Sequence, residues 1–116
     1  MTLNERIDAW ASTHMAALAA LSEAEAAHAH SNYALAQARA QAEQHIREQA
    51  FTETKKLTES AIEAQVALDP EVQVHEQAAM ATGVALDAAK NTVEAQRVMK
   101  SALSWHVALE TRPLVA

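Results

Sequence analysis

Six histidines are the first residues in this chain to invite chemistry, because neutral imidazole is the commonest metal ligand. They are His14, His28, His30, His45, His75 and His106, and no two of them stand four apart. His28 and His30 are two apart, which on a helix turns them about 200° from one another. No metal centre is expected. Glu59 and Glu63 share a helix face as a possible acid–base pair. Lys55 and Lys56 lie a turn earlier, so the plainer reading is a solvated ion-pair face. There is no cysteine to act as nucleophile, thiolate ligand or disulfide partner, and the single glycine, Gly83, cannot build a phosphate-cradling loop. The residues predict neither an enzyme nor a cofactor.

Binding chemistry is the remaining possibility. Trp10, Tyr33 and Trp105 are aromatic faces of the kind that stack on unpaired bases, but both tryptophans fall on apolar stripes, where packing is the simpler use. Net charge is −6, from nine Lys and Arg against fifteen Asp and Glu, which excludes a binder that attracts nucleic acid over its whole surface. Local basic residues remain. Arg39, Arg47 and Lys55 recur every eight residues, a drift of about 80° per step around a helix, with Lys56 beside them. Glu43, Glu48 and Glu53 alternate with them and blunt the field.

The elements that must position these residues are helices. No glycine or proline occurs from Met1 to Asp69, and strong helix formers fill the stretch. Thr2 and Glu5 have capping-box spacing, so helix should start at about Leu3. Three weak spots follow: Ser12-Thr13, His30-Ser31-Asn32, and Phe51-Thr52-Glu53-Thr54. The strongest punctuation is Leu68-Asp69-Pro70-Glu71. Proline disfavours helix at the residue before it, while Asp69 can cap and Pro70 can open a new helix. The prediction is an all-α chain in one domain. Residues 1–30 form an amino-terminal helical segment, 31–67 and 70–110 form the arms of a long antiparallel hairpin, and 111–116 form a tail.

Apolar stripes support this division. Ile46, Ala50, Leu57, Ala61, Ala64 and Leu68 mark a seam on the first arm, and Val72, His75, Ala79, Leu86, Ala89 and Val93 one on the second. Beyond Val93 the seam is expected to drift to Val98, Ala102, Trp105 and Leu109. Leu3, Trp10 and Ala17, with Ile7, His14 and Leu21, give the amino-terminal segment its own apolar face. Half of the residues are hydrophobic, but largely alanine, so one copy has a thin core and a coiled-coil-like homo-oligomer is expected. Trp10, Leu21, Gly83, Leu86, Val93 and Trp105 are its candidate packing positions, Gly83 through close approach of another helix. The opening MTLNERIDAW lacks the layout of a signal peptide, and Met15 to Leu21 is too short to span a membrane. These features, with the absence of cysteine, point to a soluble cytoplasmic protein.

The order of the less common residues resembles the UvsY type of small helical recombination mediators from bacteriophages. Trp10 and His14 match a Trp followed four residues later by His. Ala38-Arg39 match an Ala-Arg pair, and Asp69, Glu71 and Val72 match a D-x-[DE]-V turn. Gly83 and Asp87 match a glycine and an aspartate four apart, and Arg97 and Lys100 fall in a basic helix. Gln37 stands where the family has a lysine, and the length between His14 and Arg39 differs. The resemblance spans nearly the whole chain as a pattern rather than as high identity.

It implies a closed ring of roughly six or seven subunits, without covalent chemistry. Such a ring would bind single-stranded DNA and help a RecA-like recombinase displace single-strand-binding protein, in a host-cell cytoplasm if the chain is phage-encoded. Strand binding would then fall to Arg39, Arg47, Lys55 and Lys56. The competing expectation is a structural or adaptor oligomer that binds proteins and no nucleic acid. A secreted helical hairpin ranks behind both, because the turn lacks a Trp-x-Gly.

Overall fold

The computed structural model describes residues 2–110 and is all-α, with three helices: α1 Leu3–Thr52, α2 Glu59–Leu68 and α3 Pro70–Glu110. The expected tail, 111–116, lies outside the described residues. No helix among them is long and apolar enough to cross a membrane.

The capping box opens α1: the Glu5 amide donates to Thr2 Oγ1 (3.1 Å) and the Thr2 amide to Glu5 Oε2 (3.3 Å). The helix then runs unbroken through both Ser12-Thr13 and His30-Ser31-Asn32, so no helix boundary falls at residue 30. Two of the polar side chains at these weak spots find partners along α1 itself. Thr13 donates its hydroxyl to the Ala9 carbonyl one turn back (2.9 Å), and Asn32 spends its amide on the His28 ring (3.2 Å).

The third weak spot does break the chain. Thr54 adopts the left-handed region (φ 56°). The Lys55 amide reaches back to the Ala50 carbonyl (2.9 Å), and the Thr54 amide to Phe51 (3.1 Å). This is a Schellman closure with threonine where glycine is usual. The expected first arm therefore ends at Thr52, not near Ala67. Thr58 caps α2 by accepting from the Ala61 amide (3.1 Å). Ala64 and Leu68 are exposed, so the seam drawn through them does not form; Ile62 and Val66 face inward instead.

Asp69 separates α2 from α3 as the sequence requires. Its carboxylate accepts from the amides of Glu71 (2.9 Å) and Val72 (3.3 Å), and Pro70 takes the first helical position, where no amide is needed.

Residues of α1 facing inward recur at Leu3, Ile7, Trp10, His14, Ala17, Leu21, Ala24, His28, Ser31, Leu35, Ala38 and Ala42. The alternating steps of four and three are the 3.5-residue repeat of a coiled-coil seam. On α3 the same repeat runs through Val72, His75, Ala79, Thr82, Leu86, Ala89, Val93 and Gln96, then Leu103 and Val107. The expected drift to Val98, Ala102, Trp105 and Leu109 does not occur, and all four are exposed.

The chain divides into two compact units. One takes the chain up to Glu25 and from Ala85 onward; its buried residues are Ala17, Val93 and Gln96. There α1 and α3 pair antiparallel, and the Trp10 indole N–H donates to the Gln96 carbonyl (2.7 Å). The other unit, Ala26–Val84, holds a small core of Leu35, Ala38, Ala42, Val72 and Ala79, with Val66 of α2 packed against it. Val72 is fully buried, which contributes about 2 kcal/mol.

Candidate nucleic-acid interface

The four basic candidates all belong to the Ala26–Val84 unit. Arg39 and Arg47 project from α1, two turns apart. Lys55 and Lys56 lie in the connection after α1 ends, so the slanted strip drawn along one helix stops at Arg47.

Three of the four cations already hold a carboxylate. Arg39 Nη2 meets Glu76 Oε1 of α3 at 3.1 Å, with about half of the arginine side chain in solvent. Arg47 donates through Nε and Nη2 to Glu43 Oε1 (3.1 and 2.9 Å), and through Nη2 to both oxygens of Glu59 (2.9 Å each). The bonds to Glu59 and then to Glu43 raise the Arg47 pKa further above its ordinary value, so its charge is permanent. Lys55 Nζ pairs with Glu53 Oε2 at 3.1 Å. Lys56 is exposed and makes no ion pair within the described residues.

The ground around these cations is acidic. A hollow bounded by Arg39 also receives Glu43, Glu59, Glu63 and Glu76. A phosphate approaching Arg39 or Arg47 must displace a carboxylate. Exposed ion pairs are worth only about 0–1 kcal/mol, so the exchange is energetically open, but the surrounding acids lower the gain. The arrangement permits weak, salt-sensitive contacts to a phosphate backbone.

Two of the six histidines have structural uses. His14 stacks on Trp10, ring centroids 4.7 Å apart and 14° from parallel. His28 forms a polar layer: Thr82 gives its hydroxyl hydrogen to the Ala79 carbonyl (3.1 Å), so its oxygen accepts from His28 Nδ1 (3.0 Å). His28 Nε2 is then the acceptor for Asn32 (3.2 Å). Sequence reasoning missed this layer, although a glycine in mid-helix opposite it was a visible signal. Among the described residues no group of three or more His, Asp or Glu is placed to hold a metal ion.

Of the candidate packing positions, Trp10, Leu21, Leu86 and Val93 lie on the faces that α1 and α3 turn inward, and Gly83 lies against His28. Trp105 alone is exposed, at 68%.

Compared with protein-family models, curated proteins and solved structures, the chain matches none.

Proposed function

We infer that this protein is a recombination mediator of the UvsY type. It would be a homo-oligomeric helical accessory protein that holds single-stranded DNA by many weak contacts and favours its transfer from single-strand-binding protein to a RecA-like recombinase. It does no covalent chemistry. The supporting observation is that the residues carrying the resemblance occupy fixed positions in one helical architecture. Trp10 and His14 stack, Ala38 is buried beside the outward Arg39, Asp69 caps the helix that Val72 anchors, and Gly83 receives His28. An oligomer multiplies the weak contacts of Arg39 and its neighbours through effective concentration, without demanding a strongly basic surface.

The pairing of Arg39, Arg47 and Lys55 with carboxylates favours a second reading, an adaptor oligomer with protein partners alone. Anisotropy of labelled single-stranded DNA at two salt concentrations separates them. Binding that weakens steeply with salt belongs to the mediator; no binding at low salt belongs to the adaptor.

A further inference from the structure

Near the end of α3, Arg97, Lys100, Ser101, Ser104 and Trp105 stand at i, i+3, i+4, i+7 and i+8, the spacing that brings side chains to one side of a helix. They line one shallow hollow about 12 Å long, and all five are exposed. This hollow differs sharply in charge from the one at Arg39. Arg39 shares its surroundings with Glu43, Glu59, Glu63 and Glu76, whereas no carboxylate lines the hollow on α3. Lys100 makes no ion pair within the described residues, and Arg97 holds only a long contact to Glu94 (3.4 Å). An anion meets two cations here without first displacing a closely seated carboxylate.

The remaining side chains suit the same visitor. Lys100 also borders a second hollow, with Ile7, Trp10, Leu103 and Val107, so its carbon stem has apolar ground to cover while the ammonium stays in water. The serines are short and keep the floor between the larger side chains low. Ser101 turns its hydroxyl back to the Arg97 carbonyl (3.3 Å), but Ser104 makes no hydrogen bond within the described residues and remains a donor. Trp105 has no use in the intrachain seam, which passes through Leu103 and Val107 and leaves it outside. An exposed indole beside two cations and a hydroxyl fits the two halves of a nucleotide, a flat π-face and a phosphate.

We propose that a single strand docks on this face of α3, with an unpaired base stacked on Trp105 and the adjoining phosphate held by Arg97 and Lys100. Ser104 is a further donor to the phosphate. The inference rests on the strand-binding reading above and gives the principal contact to the end of α3, with Arg39 secondary. The site reads no sequence, because every base has a π-face and every nucleotide a phosphate. Glu94, one turn before the hollow, is the acid that competes for Arg97.

The test is anisotropy of a labelled oligothymidylate strand over a range of salt, on the full chain and its variants, with mass followed by light scattering. Trp105→Ala weakens binding roughly tenfold, and Trp105→Phe recovers most of the loss, since stacking needs a ring rather than an indole. Arg97→Ala and Lys100→Ala each lower the slope of log affinity against log salt by about 0.7, the release from one phosphate of a single strand. Trp105→Ala leaves that slope as it was. Glu94→Gln strengthens binding about twofold. No binding by the unaltered protein removes the mediator reading and this site with it. Binding that all three alanine variants leave unchanged overturns the site alone and returns the strand to Arg39. A Trp105→Ala variant of lower mass gives the face to a second copy. One that loses vesicles of anionic phospholipid but keeps the strand gives it to a membrane. Either result overturns the proposal.

Discussion

A Cβ on Gly83 would stand 3.3 Å from Cε1 of His28, a ring held on one side by Thr82 and on the other by Asn32. The glycine in mid-α3 is thus the space that a hydrogen-bonded histidine on α1 requires. Glycine costs a helix interior about 1 kcal/mol against alanine, so the polar layer is kept at the expense of local helix stability. A half-buried polar contact in a seam favours one register among the many that an alanine-rich face permits.

Gly83→Ala should therefore behave differently in two backgrounds. With His28→Ala it stabilises by about 1 kcal/mol, the helix-propensity gain. With His28 present most of that gain is lost to the tight contact. Thermal or urea unfolding of the four proteins measures the coupling, and additive effects would separate the two residues.

Thr54 adopts a backbone conformation that costs a β-branched residue about 1–2 kcal/mol. Thr54→Gly keeps the Schellman closure and relieves that cost, so the midpoint of urea unfolding rises. An unchanged or lower midpoint would mean that the threonine side chain contributes more than its backbone loses.

Asp69→Ala removes the acceptor for two amides at the start of α3. The expected loss is about 1 kcal/mol, and Asp69→Asn retains most of the stability because an amide oxygen also caps. Equal losses in both variants would assign the effect to charge at the helix end.

At the candidate interface, Arg39→Ala should weaken strand binding and leave oligomer mass unchanged. Glu76→Gln should strengthen binding, because Arg39 loses its competing carboxylate (3.1 Å). Each change is a fewfold per site, as expected for one exposed ion pair. Unaltered affinity in both variants would remove Arg39 from the interface.

Much of the fold was legible in local chemistry. Thr2 and Glu5, the Phe51–Thr54 weakness, and Asp69-Pro70 each act through neighbours within a few residues, and the helix boundaries follow them. The inward face of α3 could be read as far as Val93. Beyond it the sequence misleads, because Gln96 looks like a surface residue. Its backbone carbonyl accepts the Trp10 indole and its side chain is buried in the seam, which continues to Leu103 and Val107 and leaves Trp105 outside it. The continuity of α1 through Ser12-Thr13 and His30–Asn32 was equally hidden, because residues of low helix propensity weaken a helix without forcing a break. The four cations were visible, but their neutralisation was only half visible. Glu43 and Glu53 are close in sequence, whereas Glu59 and Glu76 reach Arg47 and Arg39 from other helices.

The most direct test of the central claim is anisotropy of a labelled single strand, titrated with protein of known oligomer mass at low and at physiological salt. The account predicts binding by the oligomer whose affinity falls steeply as salt rises, because exposed cations must exchange carboxylates for phosphates. An intact oligomer that leaves the strand free at low salt would contradict it.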